Sequence, residues 1–181
     1  MRKIRVTHLN ALVLLLISPS AYALHSSDTI QVQITGQIVA PSCTANVGQL
    51  VDLGTVISGD LSVPGANSQT KFVKLTLTNC SPELNHITAT FTGTPYSEDP
   101  AFADAIYANE SSNGTQGIGL QLFNWDGQPL VNLANGVSYQ FSIDGATGSG
   151  ELPIGARMYT PHGNPTAGSF SASVTVNFTY Q

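Results

Sequence analysis

Polar and apolar residues alternate without a break at the end of the chain. Every second residue from Phe170 to Tyr180 is apolar or aromatic, and Ser, Thr or Asn occupies each position between them. Successive side chains of a β-strand point to opposite faces of its sheet, so this pattern predicts a strand over Ser169–Gln181 with one buried face. At about 3.3 Å per residue such a strand would extend roughly 40 Å, which is long for a globular protein.

The same alternation recurs in shorter runs, and Gly, Pro, Asn and Asp separate one run from the next. These runs are Ile30–Ile38, Val51–Leu53, Lys71–Thr78, His86–Thr92, Ile118–Leu122, Tyr139–Ile143 and Leu152–Met158. About eight short strands, each with one apolar face, predict an all-β domain of the sandwich type. Helical periodicity is nearly absent, and Ala101–Asn109 is the one candidate helix.

The first 23 residues have the three parts of a secretory signal peptide. Arg2, Lys3 and Arg5 precede the apolar stretch Ala11–Ile17, and Ala21-Tyr22-Ala23 supplies the small residues of a cleavage site. A membrane-spanning helix would need about 20 apolar residues, which this stretch does not provide. We therefore expect export and a mature chain that begins at Leu24.

Positive charge is scarce in the expected mature chain. Lys71, Lys74 and Arg157 stand against eleven Asp and Glu residues, a net charge of about −8 at neutral pH. Proteins that bind nucleic acid present clustered Lys and Arg to the phosphates. We therefore expect no nucleic-acid partner.

Cys43 and Cys80 are the two cysteines of the chain. An exported protein meets an oxidising compartment, which favours a disulfide between them. The bridge would close a loop of roughly 40 residues, and loop-closure entropy would stabilise the fold by about 3–4 kcal/mol. The alternative, a metal site, lacks a CxxC pair and histidines at ligand spacing.

Residue patterns typical of enzymes are missing from the sequence. The histidines of residues 24–181 fall in unrelated segments without HxH or HExxH spacing. The acidic stretch Glu98–Glu110 lacks the residue order of an EF-hand, and we interpret it as a solvated loop. No GxSxG sequence is present. We therefore expect no catalytic residues, no metal, no cofactor and no small-molecule substrate.

The two cysteines and the end of the chain lie in distinctive sequence contexts. Gly36–Cys43 reads Gly-Gln-Ile-Val-Ala-Pro-Ser-Cys, and Leu75–Cys80 reads Leu-Thr-Leu-Thr-Asn-Cys. Leu152–Tyr159 and Ser169–Gln181 follow, with Tyr180 one residue before the end. In these segments the chain resembles the type 1 fimbrial pilins of the chaperone–usher pathway. Thr29–Gly36 and His86–Gly93 are similar to stretches of the minor tip-fibrillum adaptor subunits.

This resemblance implies an incomplete immunoglobulin-like β-sandwich that is completed by donor-strand exchange. It divides the chain into a signal peptide (1–23), an N-terminal donor-strand extension (24–40) and a pilin domain (41–181). The expected donor residues are Ile30, Val32, Ile34, Gly36 and Ile38. The expected chaperone-binding residues of the C-terminal strand are Val174, Val176, Phe178, Tyr180 and Gln181.

The resemblance also implies the partners and the destination of the chain. It predicts a structural subunit that is exported through the periplasm into a cell-surface fimbrium and supports cell adhesion. The expected partners are a periplasmic pilus chaperone, an outer-membrane usher and neighbouring pilin subunits. The alternative function is a carbohydrate-binding tip adhesin, a class in which a lectin domain precedes the pilin domain. Direct binding of a sugar by a loop of this chain, such as Tyr96–Tyr107, is a separate alternative.

Overall fold

The computed structural model describes residues 33–37, 40–46, 50–126 and 130–181. The predicted signal peptide, together with Ile30, Val32 and Ile38 of the predicted donor strand, lies outside these ranges. Contacts within the chain separate Met1–Ile38 from Val39–Gln181, and the fold described below belongs to the second unit.

Seven β-strands form the fold of the described residues, and helical structure there is limited to the 3-10 turns Ser58–Leu61 and Pro100–Phe102. The strands are β1 (Thr44–Ala45), β2 (Lys71–Thr78), β3 (His86–Gly93), β4 (Gly119–Asn124), β5 (Ser138–Asp144), β6 (Ser149–Tyr159) and β7 (Val174–Tyr180). Strands β2 to β7 coincide with predicted runs, and the all-β prediction is confirmed.

Antiparallel pairing joins the strands in the order β1-β2-β6-β5-β3-β7, and β4 also pairs with β6. The pairing of β5 with β6 is confined to their hairpin, where Ile143 and Asp144 oppose Gly150 and Ser149. The chain therefore forms two layers, β1-β2-β6-β4 and β5-β3-β7. Strands β1 and β7 lie at the two ends of this order, and in the part of the chain that the structure describes each pairs with a single strand.

The core lies between the two layers. Strands β2, β4 and β6 contribute one set of apolar side chains, and β3 and β5 contribute the facing set. The fully or nearly fully buried members are Leu77, Ile87, Ala89, Phe91, Tyr107, Leu120, Leu122, Leu133, Phe141, Leu152, Ile154 and Ala156. Two antiparallel layers around one core form the predicted immunoglobulin-like β-sandwich.

The disulfide expected from the sequence is present between Cys43 and Cys80. Cys43 directly precedes β1, and Cys80 follows β2 by two residues. The backbone reinforces the link, because the Ser81 amide donates to the Ser42 carbonyl at 3.0 Å. The bridge thus attaches the start of the domain to the end of β2.

The last strand is shorter than predicted. Strand β7 begins at Val174, whereas the alternation begins at Ser169. The Asn109 side chain accepts from the Ser171 amide at 3.0 Å, and Glu110 accepts from the Ser173 amide at 3.0 Å. The prediction of a strand over residues 169–173 is wrong because a neighbouring loop binds these backbone groups in place of a partner strand.

Two further predictions of local structure are wrong. Val51–Leu53 is not a strand, because the Asp52 carboxylate accepts from the Gly54 amide at 2.8 Å and forms a turn in which Gly54 has φ +78°. Ala101–Asn109 is not a helix beyond the 3-10 turn. The backbone of Tyr107 instead pairs with Leu120 of β4, through bonds of 2.8 and 2.9 Å.

Candidate functional site: an open groove between the layers

One side of the core is open to solvent along a groove of about 960 Å³. Its walls come from both layers of the sandwich, from residues 50–56 and from the loop 165–172. The apolar side chains of the strands that line it are Val73, Leu75, Phe91, Leu120, Leu122, Ile154, Ala156, Met158, Val174, Val176 and Phe178. We call this feature the groove.

Strand β7 forms one wall of the groove. Its apolar residues Val174, Val176 and Phe178 point inward but are only half-buried, while the polar residues between them are exposed. Within the described residues β7 pairs with β3 alone, so the backbone of its other edge has no strand partner. An unpaired edge beside an apolar groove offers hydrogen bonds and apolar contacts to an added strand.

The opposite wall is formed by β2 and β6. Val73, Leu75 and Ile154 line it, and the register places Val73 directly beside Ile154, so adjacent strands present a continuous apolar surface. The alternation in β2 and β6 predicts a buried face for these residues but not a groove. Periodicity contains no signal for this role, because the alternation is the same whether or not a further strand covers the face.

The loop 165–168 helps to line the groove, and hydrogen bonds attach it to residues 115–116. The Gln116 amide donates to the Thr166 hydroxyl at 2.8 Å, and the Thr115 hydroxyl donates to the Thr166 carbonyl. A Cβ atom at Gly168 would lie 2.5 Å from the Thr115 nitrogen. The close approach of the two loops therefore requires glycine at position 168.

Four of the five predicted chaperone-binding residues lie on β7, and the fifth follows it directly. Val174, Val176, Phe178 and Tyr180 share the half-buried face of β7, and the amide of Gln181 donates to the His86 carbonyl at 3.3 Å. Of the predicted donor residues, Ile34 and Gly36 are described. Ile34 is 89% exposed, and residues 33–37 have no regular secondary structure.

Carboxylates of the predicted acidic loop accept hydrogen bonds from backbone amides. Glu98 accepts from the Gly117 amide at 2.8 Å, and Asp99 accepts from the Ala101 amide at 2.9 Å. The Ala101 amide and the nearby His162, whose Nε2 lies 2.8 Å from the carboxylate, lower the pKa of Asp99. Among the residues that the structure describes, no group of His, Cys, Asp and Glu has the arrangement of a metal site.

The loop named for possible sugar contact has buried aromatic residues at its ends. Tyr96 and Tyr107 are 2% and 1% exposed, and burial raises the pKa of each to about 12. The Tyr107 hydroxyl donates to the Leu133 carbonyl at 2.7 Å. These two rings belong to the core and are not available to a sugar. Within the described part of the chain, no helix has the length and apolar character needed to cross a bilayer.

An immunoglobulin-like sandwich with one open apolar groove agrees with the comparison to known families. The sequence model of the family described as fimbrial protein matches residues 32–181. The chain belongs to this family. Protein FimG of Escherichia coli K12 is 30% identical over 152 residues, which cover 83% of this chain and 84% of that protein.

Solved structures share the fold. The P pilus rod subunit PapA matches with a TM-score of 0.59 and 20% identity, over 77% of this chain and 99% of that chain. The CupB6 tip adhesin from Pseudomonas aeruginosa matches with a TM-score of 0.63 and 21% identity. That match covers 78% of this chain but only 38% of the adhesin. The predictions of a pilin fold and of a structural subunit of a surface fimbrium are confirmed.

Proposed function

We propose that this fimbrial subunit polymerises by donor-strand exchange, in which the groove accepts the N-terminal strand of a neighbouring subunit. One observation carries the proposal: β7 has a strand partner on one side, and its apolar face is half-exposed in the groove. A strand added along β7 would supply the missing hydrogen bonds and cover Val174, Val176 and Phe178. Repeated head-to-tail addition generates an open filament.

The proposed donor is the segment 24–40 of each chain. Ile30, Val32, Ile34 and Ile38 alternate with polar residues, and Gly36 occupies one position of the same face. Burial of four such side chains contributes about 6–12 kcal/mol before the entropy of ordering the strand is subtracted. Ile34 is 89% exposed, so an apolar side chain of this segment is available to a partner.

We propose that a periplasmic chaperone occupies the groove before assembly and that an outer-membrane usher is the site of exchange. Support comes from the edge of β7, because an uncovered apolar edge would promote aggregation during transit through the periplasm. The C-terminal residues Val174, Val176, Phe178, Tyr180 and Gln181 would form the chaperone-binding strand. The subunit then acts in assembly and adhesion without a catalytic role.

Paired substitutions in the extension test the donor role. We expect Ile34→Asp to abolish attachment of this subunit to the preceding one, because an unpaired carboxylate would be buried. The adjacent Gln33→Asp, on the opposite face of the extended segment, is the matched control and should attach normally. The measurement is transfer from the chaperone complex to a preceding subunit, followed on native gels. Equal transfer by both variants would contradict the donor assignment.

The acceptor role has its own matched pair on β7. Val176→Asp places a charge in the groove, whereas Asn177→Asp places one on the exposed face. We expect the first variant to lose chaperone co-purification and to be degraded, and the second to behave as the unmodified chain. Normal co-purification of Val176→Asp would show that the chaperone binds elsewhere.

The proposed position in the fibre is that of a minor adaptor. The resemblance of Thr29–Gly36 and His86–Gly93 supports this position, and the match to Protein FimG is consistent with it. Cross-linking of native fimbriae with mass spectrometry of the linked neighbours provides the test. An adaptor should be recovered in few copies and with unlike neighbours, whereas a shaft subunit would be linked mainly to copies of itself.

A further inference from the structure

Two aromatic side chains are exposed on the outer face of the β2-β6-β4 layer. Phe72 on β2 is 58% exposed, and Trp125, directly after β4, is 50% exposed. Their ring centroids lie 4.6 Å apart, and the ring planes are tilted by 49°. We call this pair the aromatic platform. Because it faces away from the core, it is separate from the groove and independent of donor-strand exchange.

A glycine of β6 leaves space for the aromatic ring that supports the platform. Gly155 of β6 is the register partner of both Phe72 and Phe123. A Cβ atom at Gly155 would lie 2.5 Å from the Phe123 ring, so the ring covers the space that a side chain would fill. Phe123 is nearly buried in this position, and its centroid lies 6.3 Å from that of Trp125. The platform therefore rests on a packed aromatic base.

Polar groups surround the aromatic residues on the same face. The Arg157 guanidinium lies over the Phe123 ring at 5.0 Å and donates to the Gln121 side chain at 2.8 Å. Beside the platform, Lys74 and Glu151 form an exposed ion pair of 2.9 Å. The platform thus combines two half-exposed aromatic side chains with hydrogen-bonding groups on the same face of the sheet.

The size of the platform argues against a stable protein partner. An aromatic side chain presents about 150–250 Å², so two half-exposed rings offer roughly 200 Å². A stable protein interface needs about 800 Å² from each partner. The area matches a small ligand that covers two rings, and the adjacent polar groups favour a ligand rich in hydroxyl groups.

We propose that the aromatic platform binds the apolar face of a pyranose in a surface glycan. Aromatic rings carry negative charge density on their faces, and the C–H groups of a sugar are polarised by the ring and hydroxyl oxygens. The sugar would stack on Phe72 and Trp125 while its hydroxyls bond to Lys74, Glu151 or Gln121. A subunit of the fibre would then contact glycans through its side.

The chain contains a single tryptophan, and it belongs to the platform. Its fluorescence therefore reports on this site. The purified full chain is titrated with methyl β-D-galactopyranoside, whose ring presents a run of C–H groups on one face, and is also applied to a glycan array. The Trp125→Phe variant has no tryptophan, so its signal comes from any co-purifying protein. This signal is subtracted from that of the unmodified chain. We expect a saturable spectral shift with a midpoint near 1 mM, as for a weak single-sugar site.

Substitutions at Phe72 decide whether the binding depends on the platform. Phe72→Leu keeps an apolar side chain without an aromatic face, and we expect the dissociation constant to rise about ten-fold. Ile57→Ala, at an exposed apolar residue outside the platform, is the control and should bind like the unmodified chain. Saturation-transfer NMR, in which magnetisation passes from the protein to the bound sugar, gives a second measurement that does not need tryptophan.

Three results would overturn the proposal. The first is the absence of a saturable signal with both the galactoside and the array. The second is unchanged affinity of Phe72→Leu, which would place the sugar elsewhere. The third is self-association in sedimentation experiments that Phe72→Leu removes and sugar does not affect, which would identify the platform as a contact between protein subunits.

Discussion

Strands β3 and β7 carry the same alternating pattern and have different degrees of burial. On β3, Ile87, Ala89 and Phe91 are each 0% exposed. On β7, Val176 and Phe178 pack against the same core but remain half-buried. Strand β3 pairs with β5 on one side and β7 on the other, whereas among the described residues β7 pairs only with β3. The comparison shows that neighbouring strands, more than side-chain type, determine how much of an apolar face is buried.

This difference divides the core into a closed half and an open half. The closed half includes Ile87, Tyr107 and Leu152, all of which are fully or nearly fully buried. The open half is the groove, where Val73, Leu75 and Val176 are half-buried. Stability of the isolated subunit should therefore depend mainly on the closed half.

Truncation in the two halves should give the largest contrast. Leu152→Ala removes a fully buried side chain, and we expect a loss of about 2–5 kcal/mol in the free energy of unfolding. Val176→Ala removes less carbon from a half-buried position and should cost about 1 kcal/mol or less. Urea denaturation of both variants measures the difference. Equal losses would mean that the groove contributes to stability as strongly as the closed core.

Removal of the disulfide should cost about 3–4 kcal/mol, because the bond restricts a long loop of the unfolded chain. A variant with Cys43→Ala and Cys80→Ala avoids a leftover thiol. The groove should be affected more than the closed half, since β1 has only two paired residues. Hydrogen exchange would reveal this as lost protection near residues 44–46 with retained protection in β3. Uniform loss of protection would contradict it.

High pH should destabilise the closed half. Burial raises the pKa of Tyr96 and Tyr107 to about 12, compared with 10.0 for an exposed tyrosine. A raised pKa means that folding favours the neutral phenol, so its contribution is complete below pH 10 and is lost as the pH rises towards 12. We expect the melting temperature to fall over this range, and Tyr107→Phe to weaken the fall. A flat profile above pH 10 would exclude the coupling.

The outer face of the β1-β2-β6-β4 layer should give the smallest effect. Lys74 and Glu151 are both about half-exposed, with side-chain exposures of 56% and 51%. Exposed ion pairs contribute about 0–1 kcal/mol, and salt screens them. We expect Glu151→Gln to shift the urea midpoint only slightly, and less at high ionic strength. A loss as large as that of Leu152→Ala would contradict the view that burial dominates.

Period-two alternation predicted β2 to β7 because each has enough residues to repeat the pattern. It missed β1, since the two residues Thr44 and Ala45 cannot show a period. It extended β7 to Ser169 because the alternation cannot reveal that Asn109 and Glu110 bind the backbone there. The strand pattern follows from local sequence. The two wrong strand predictions arise where side chains bind backbone amides, Asp52 within its own turn and Asn109 and Glu110 from a distant loop.

The groove and the aromatic platform differ in how visible they are in the sequence. A missing strand leaves no trace in the alternation of the strands that remain, so only the family resemblance indicated an incomplete sandwich. The platform did leave a signal. Phe72 is out of phase with Val73, Leu75 and Leu77, and Phe123 is out of phase with Leu120 and Leu122. The alternation therefore placed these two aromatic residues on the outer face of the sheet, but it did not show that Phe72 and Trp125 lie side by side there.

The position of the disulfide has a mechanical consequence. Tension applied to the chain before residue 43 reaches Cys80 and the end of β2 through a covalent bond. The two-residue pairing of β1 therefore does not carry that load, and pulling cannot peel β1 from β2 to enter the domain. Force passes directly into a strand that pairs with β6 over seven positions, where the load is shared by many hydrogen bonds in shear. A fibre in flowing liquid would thus be linked through the paired strands β2 and β6.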